Sequence, residues 1–142
     1  DRDAFKGRPM KRRVAMALLA VALGVLAFYV DRYFLAPREV QRLIFGEAVT
    51  GLQRPSYRYT HELGPWDETW TYSMKHGAPP YLRMHYGCEV AGARISCRRC
   101  EEKLLGMCFI KSVSRPGGEY LIARTIDGNF RVERGVRDPD ED

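Results

Sequence analysis

With 142 residues, 45% of them apolar and 11% aromatic, the chain has the length of one domain with an appendage and too much apolar material for general disorder. Its formal charge of +5 would suggest a nucleic-acid partner, but residues 1–35 hold seven of the 23 Lys/Arg and three of the 18 Asp/Glu. The other 107 residues carry 16 basic and 15 acidic groups, a net of +1 (16 − 15), which argues against a surface that tracks phosphates. Arginine outnumbers lysine 18 to 5 and there is a single Asn, a bias expected of a GC-rich bacterial genome.

A basic segment, residues 1–13, ends in Lys11, Arg12 and Arg13. It leads into Val14 to Val30, "VAMALLAVALGVLAFYV", 17 residues with no charged side chain. After Asp31 and Arg32 comes "YFLA", so the apolar stretch over 14–35 reaches 22 residues. At 1.5 Å per residue that length crosses a hydrocarbon core of about 30 Å. Phe28, Tyr29, Tyr33 and Phe34 cluster where an interfacial aromatic belt belongs. A soluble core helix would show a polar face, and this run has none. A cleaved signal peptide would have an apolar region of about 7–15 residues followed by an A-x-A site. Neither condition is met and no lipobox-type cysteine is near, so the expectation is a retained single-pass transmembrane helix. Arg2, Lys6, Arg8, Lys11, Arg12 and Arg13 precede it, against Arg32, Arg38 and Arg42 close after it. That excess places the N-terminus in the cytoplasm and exports residues 36–142, in a bacterium to the periplasmic side of the inner membrane. Within the span Ala17, Ala20, Gly24, Ala27 and Asp31 recur at steps of 3, 4, 3 and 4, a stripe fitted to close approach by another transmembrane helix.

Residues 36–51 predict a short amphipathic helix continuing the anchor after a break or kink, with Pro37 in its first turn. Val40, Leu43, Ile44 and Ala48 form its apolar side and Gly51 ends it. Residues 52–136 then predict an antiparallel β domain. "SYRYTHEL" alternates Tyr57, Tyr59, His61 and Leu63 against polar residues, and "TWTYSM" alternates Trp70, Tyr72 and Met74 against Thr and Ser. "YLRMHYGCEV" alternates Leu82, Met84, Tyr86, Cys88 and Val90 against Arg83, His85 and Glu89, and is expected to be a third strand. "SRPGG" marks a turn, and Asp127-Gly128 between apolar runs is a strong hairpin signal. Tyr57, Tyr59, Trp70 and Tyr72 are assigned to the domain's own core. The adjacent acids Asp67 and Glu68 are read as solvated charge on an exposed turn, and Arg98-Arg99 as a surface turn. Residues 137–142 form an acidic tail. The fold class is α+β: an anchor, a membrane-proximal helix and a meander of five to seven strands with one face under that helix.

All four cysteines fall within residues 88–108, in the pattern C-x8-C-x2-C-x7-C. If "EVAGARIS" turns on Gly92-Ala93, paired residues have numbers summing to 185 and Cys88 faces Cys97. Ala91 and Arg94 flank the turn as a hydrogen-bonded pair, so alternation makes Cys88–Cys97 a non-hydrogen-bonded pair. Such pairs bring Cα atoms to about 4.5 Å, within disulfide range. Cys100 and Cys108 then close a short loop, and two disulfides suit a small exported domain. A zinc site would use His85, Cys88, Cys97 and Cys100, but its spacing suits a cytosolic protein, and His85 and Cys88 would point to opposite faces of a strand. Cys97-Arg98-Arg99-Cys100 could also be a thiol-exchange pair, although the βαβ setting usual for one is missing. There is no C-x-x-C-H for haem.

His61, His76 and His85 lie in different predicted segments, and none of the common nucleophile, metalloprotease or nucleotide-binding motifs occurs. No catalytic residue, cofactor or metal is therefore assigned. The expected function is a non-catalytic accessory or assembly subunit of a larger bacterial membrane complex, touching partner subunits through its helix and exported domain, with lipid and no nucleic acid as its other contact. The alternatives are a membrane-tethered thiol-disulfide oxidoreductase using Cys97 and Cys100, or a pilin-like filament subunit. Such subunits also join a long apolar helix to a disulfide-bearing meander, but here the prepilin cleavage signature is missing.

Overall fold

The computed structural model describes residues 8–60, 66–92, 94–100, 102–104 and 107–137. Helix α1 (Arg8–Val30) carries its apolar side chains outward: Leu18 is 65% and Val21 64% exposed. It is long and apolar enough to cross a membrane, and no part of its most apolar window is buried in the rest of the chain. The helical path continues after it, with the α pattern interrupted by one wider turn. A π-helical turn (Asp31–Leu35) runs into α2 (Ala36–Phe45), with the Ala36 N–H bonded five residues back to the Asp31 carbonyl. Pro37 is the physical reason: its ring would crowd the carbonyl four residues earlier, and a widened turn relieves that clash.

Helix α2 ends sooner than its periodicity suggested. Gly46 takes a left-handed conformation (φ 81°) and returns its N–H to the Arg42 carbonyl, a C-terminal stop that leaves Ala48 outside the helix. Its buried face is Ala36, Pro37, Val40, Gln41 and Ile44, whereas Leu43, expected inside, is 41% exposed.

The domain is α+β. Among the described residues six strands form one antiparallel sheet, in the order β1-β2-β8-β7-β6-β5. They are β1 (Ser56–Thr60), β2 (Trp66–Ser73), β5 (Glu102–Leu104), β6 (Met107–Ser114), β7 (Glu119–Ile126) and β8 (Asn129–Val136). β5 to β8 are a true meander, but β2 pairs with the last strand, so the sheet is a hairpin plus a meander rather than one chain-order ribbon. The excursion between them holds α3 (Pro80–Tyr86) and a separate hairpin, β3 (Cys88–Ala91) with β4 (Arg94–Cys97). Asp127 and Gly128, both at positive φ, make the tight β7–β8 turn that the sequence announced. β1 is described only to Thr60; His61 and Leu63 lie outside the described residues.

The third expected strand is corrected. Residues 80–86 are helical, so His85 is not on a strand and the opposite-face argument against a His85–Cys88 ligand pair loses its premise. Leu82 and Tyr86 are four apart as well as an even number apart, so the apolar positions fit both periods over this short run. Pro80 in the first turn and Gly87 at the left-handed C-terminal position (φ 59°) decide for helix. Only Leu82 of that helix is buried, and Met84 is 80% exposed.

Helix α2 lies across β6, β7 and β8 on one face of the sheet. Between them sit Val40 and Ile44 of α2, Trp70 and Tyr72 of β2 with Met74 just after its end, Leu121 of β7, and Phe130 and Val132 of β8, all 4% exposed or less. Of the four aromatics assigned to the core, Trp70 and Tyr72 are buried, Tyr57 is half-buried and Tyr59 is 48% exposed.

Candidate functional site

On β2 the alternation that buries Tyr72 and Trp70 continues one step to Glu68, which therefore enters the core face as a carboxylate. Its cross-strand neighbours are Tyr59 on β1 and Arg134 on β8. Arg134 donates to Glu68 Oε2 from Nη2 at 2.7 Å and from Nε at 3.1 Å. Arg32, from the π-helical turn, places Nη1 2.6 Å from Glu68 Oε1, and the Tyr57 hydroxyl donates to the same oxygen at 3.0 Å. Burial, then the bond to Glu68, pushes the Tyr57 phenol from 10.0 up to about 12. A carboxylate 4% exposed is thus met by two guanidinium groups and a phenol, as burial of a charge requires.

The backbone of the same turn completes the joint. Because the Ala36 N–H serves Asp31 and Pro37 has no N–H, neither ordinary donor is available to the Arg32 carbonyl. The Trp70 indole N–H donates to it instead. Phe28, Tyr33 and Trp70 surround the Tyr57 ring at centroid distances of 6.5, 6.1 and 5.8 Å. The end of the apolar helix is therefore tied to the sheet by a buried ion network, an indole–carbonyl bond and an aromatic cluster. One turn further on, buried Gln41 donates to the Tyr72 hydroxyl at 3.0 Å and accepts from the Val49 N–H at 2.9 Å.

Asp67, the neighbour of Glu68, faces the other side of the sheet and is also buried, so both acids contradict the exposed-turn reading. Tyr120 of β7 donates to Asp67 Oδ1 across Gly135 of β8, where a Cβ would overlap both groups. Arg124 pairs with Glu133 on this face, beside a polar hollow of about 250 Å³ flanked by Ser56, Thr69 and Thr71. The sign of a special site was present in the sequence: an acid at a core position of a strand, in register with Trp70 and Tyr72. What Glu68 meets was not, since Arg32 and Arg134 are 36 and 66 residues away in the chain.

The cysteines form the two pairs that the hairpin arithmetic gives. Cys88 is bonded to Cys97 (Cα–Cα 4.0 Å) and Cys100 to Cys108 (5.5 Å). The β3–β4 register places Val90 opposite Ile95 and Cys88 opposite Cys97. The Sγ atoms of Cys97, Cys100 and Cys108 nevertheless lie within 4.8 Å of one another. With every sulfur in a disulfide, none is a thiolate that could hold zinc in this form. His85 is on the surface, its ring 4.4 Å from that of Tyr81.

Ala17, Ala20, Gly24 and Ala27 are all exposed along α1, and a Cβ on Gly24 would meet nothing within 4 Å. Asp31, at the end of that stripe, opens the π-helical turn 3.5 Å from the Arg32 guanidinium. No protein-family profile, curated protein or solved structure matches this chain.

Proposed function

We propose that the chain is a single-pass, membrane-anchored accessory or assembly subunit of a larger bacterial membrane complex. In this reading it is non-catalytic, with the disulfide-stabilised β domain exported to the periplasmic side and in contact with partner subunits. The observation that carries it is the joint at Arg32, Glu68, Arg134 and Trp70, which ties an otherwise uncovered apolar helix directly to the sheet. A flexible tether would serve an enzyme that only needs to stay near a membrane. A joint of this kind holds a domain at a set height and orientation over its anchor, which is what positioning against neighbouring subunits requires. The exposed small-residue stripe supports the same reading, because lipid gives helices no hydrophobic reason to pair and close approach must come from shape.

The test is purification from native membranes in mild detergent after brief cross-linking. The expected result is co-elution with a stoichiometric membrane partner that is lost on Gly24→Leu. Elution as a monomer with no companion sinks the proposal.

One observation favours a second reading, thiol exchange: a thiolate freed at Cys97 would lie within reach of the Cys100–Cys108 disulfide. Cys97→Ser separates the two. Loss of stability is expected of a structural crosslink, and loss of dithiol turnover by a still-folded domain is expected of an oxidoreductase.

A further inference from the structure

Just beyond the apolar helix, the π-helical turn, α2 and the 48–55 loop enclose a half-open cavity of about 400 Å³. Arg38 and Arg42, one turn apart on α2, and Arg54 from the loop line it, and none of its lining residues among the described residues is acidic. The Arg54 guanidinium lies over the rings of Tyr29 and Tyr33, 4.4 and 4.9 Å from their centroids. Stacking of this kind fixes the plane of the guanidinium and leaves its N–H edge free to point at an acceptor. Tyr29 and Tyr33 belong to the last turns of the anchor, so the cavity lies at headgroup level when the helix spans a bilayer. An exposed apolar side chain lines it on the anchor side: Phe34 is 43% exposed.

We propose that this cavity binds the phosphodiester headgroup of an anionic phospholipid from the leaflet in which the helix ends. The volume is that of a small-molecule site, and three arginine forks with no opposing carboxylate match a phosphate. The source of the phosphate is set by continuity. Exposed Phe34, on the surface of the anchor, lines the cavity, so acyl chains lie along the helix while the headgroup sits among Arg38, Arg42 and Arg54. A cationic headgroup such as choline is disfavoured by the same arginines.

The inference rests on the membrane reading, and its test keeps the two apart. Alkaline carbonate extraction comes first: release of the full chain from membranes overturns the anchor and this proposal with it. The retained chain, in dodecylmaltoside micelles, is then titrated with dioctanoyl phosphatidylglycerol, dioctanoyl phosphatidylcholine or inorganic phosphate, and bound lipid is counted by native mass spectrometry. One phosphatidylglycerol is expected to bind at least tenfold more tightly than phosphatidylcholine. Arg38→Ala/Arg42→Ala/Arg54→Ala should lose that preference, whereas Arg38→Lys/Arg42→Lys should stay within threefold of the native chain. The fold of the triple variant is checked by its tryptophan emission, and if that departs from the native chain's, Arg54→Ala alone is compared and should weaken the preference. Equal binding of the two lipids by native and variant chains overturns the site. Displacement by inorganic phosphate at matched concentration reassigns it to a soluble anion and overturns the lipid.

Discussion

Replacing Glu68 tests the joint most directly. Its side chain is 5% exposed and accepts from Arg32, Arg134 and Tyr57 at 2.6 to 3.1 Å. Removing one member of a buried ion pair costs about 3–5 kcal/mol, because the remaining charge stays desolvated and unpaired. Arg32 and Arg134 keep 26% and 17% of their side-chain surface, so water relieves part of that penalty and the lower end applies. Glu68→Ala should therefore cost about 3 kcal/mol. Glu68→Gln, which keeps the shape and one acceptor oxygen, should cost about 2 kcal/mol. Against a typical domain stability of about 5–15 kcal/mol either loss is large. Arg32→Ala and Arg134→Ala each leave Glu68 one guanidinium, so each single change should cost less than half of the double variant. The assay is urea unfolding of the full chain in micelles with disulfides intact, read by the fluorescence of Trp66 and Trp70, both on β2. A Glu68→Gln chain within about 0.5 kcal/mol of native, or strictly additive arginine variants, would falsify the account of a shared buried carboxylate.

Four further outcomes are expected. Gly135→Ala should cost about 1–3 kcal/mol by forcing the Asp67–Tyr120 bond apart, and adding Tyr120→Ala should recover part of the loss in the same unfolding assay. Alkylation followed by intact-mass measurement should label no cysteine before reduction and four after it. Cys88→Ala/Cys97→Ala should lower stability by about 2.5 kcal/mol, as expected for so short a closed loop. Stability should also fall with alkali. The folded state favours neutral phenols at Tyr57 and Tyr120, both raised by burial and then by their carboxylate partners. Their contribution is complete below pH about 10 and, for Tyr57, is lost between about 10 and 12. Tyr57→Phe should flatten that decline in unfolding curves recorded at successive pH values; an unchanged slope would remove Tyr57 from the explanation.

Several features were legible in the sequence because their causes are local. The apolar helix over 14–35 needs only composition and length. The alternation of Trp70, Tyr72 and Met74 needs only the two-residue period of a strand. The Cys88–Cys97 pair follows from one turn position, since a hairpin's register is arithmetic once Gly92 is placed in the turn. Only the tertiary structure decided the rest. A short run with Leu82 and Tyr86 fits both periods, and the flanking Pro80 and Gly87 selected helix. Asp67 and Glu68 look like solvated charge until Tyr120, Arg32 and Arg134 arrive from distant elements and make their burial tolerable. The Arg32 carbonyl becomes an acceptor only because Pro37 lacks an N–H, and Trp70 can use it only because β2 pairs with β8 beneath α2. Apolar length and turn chemistry act over a few residues and can be read in line. The cost of a buried charge depends on which partners the fold brings within 3 Å, and sequence separation carries no record of that.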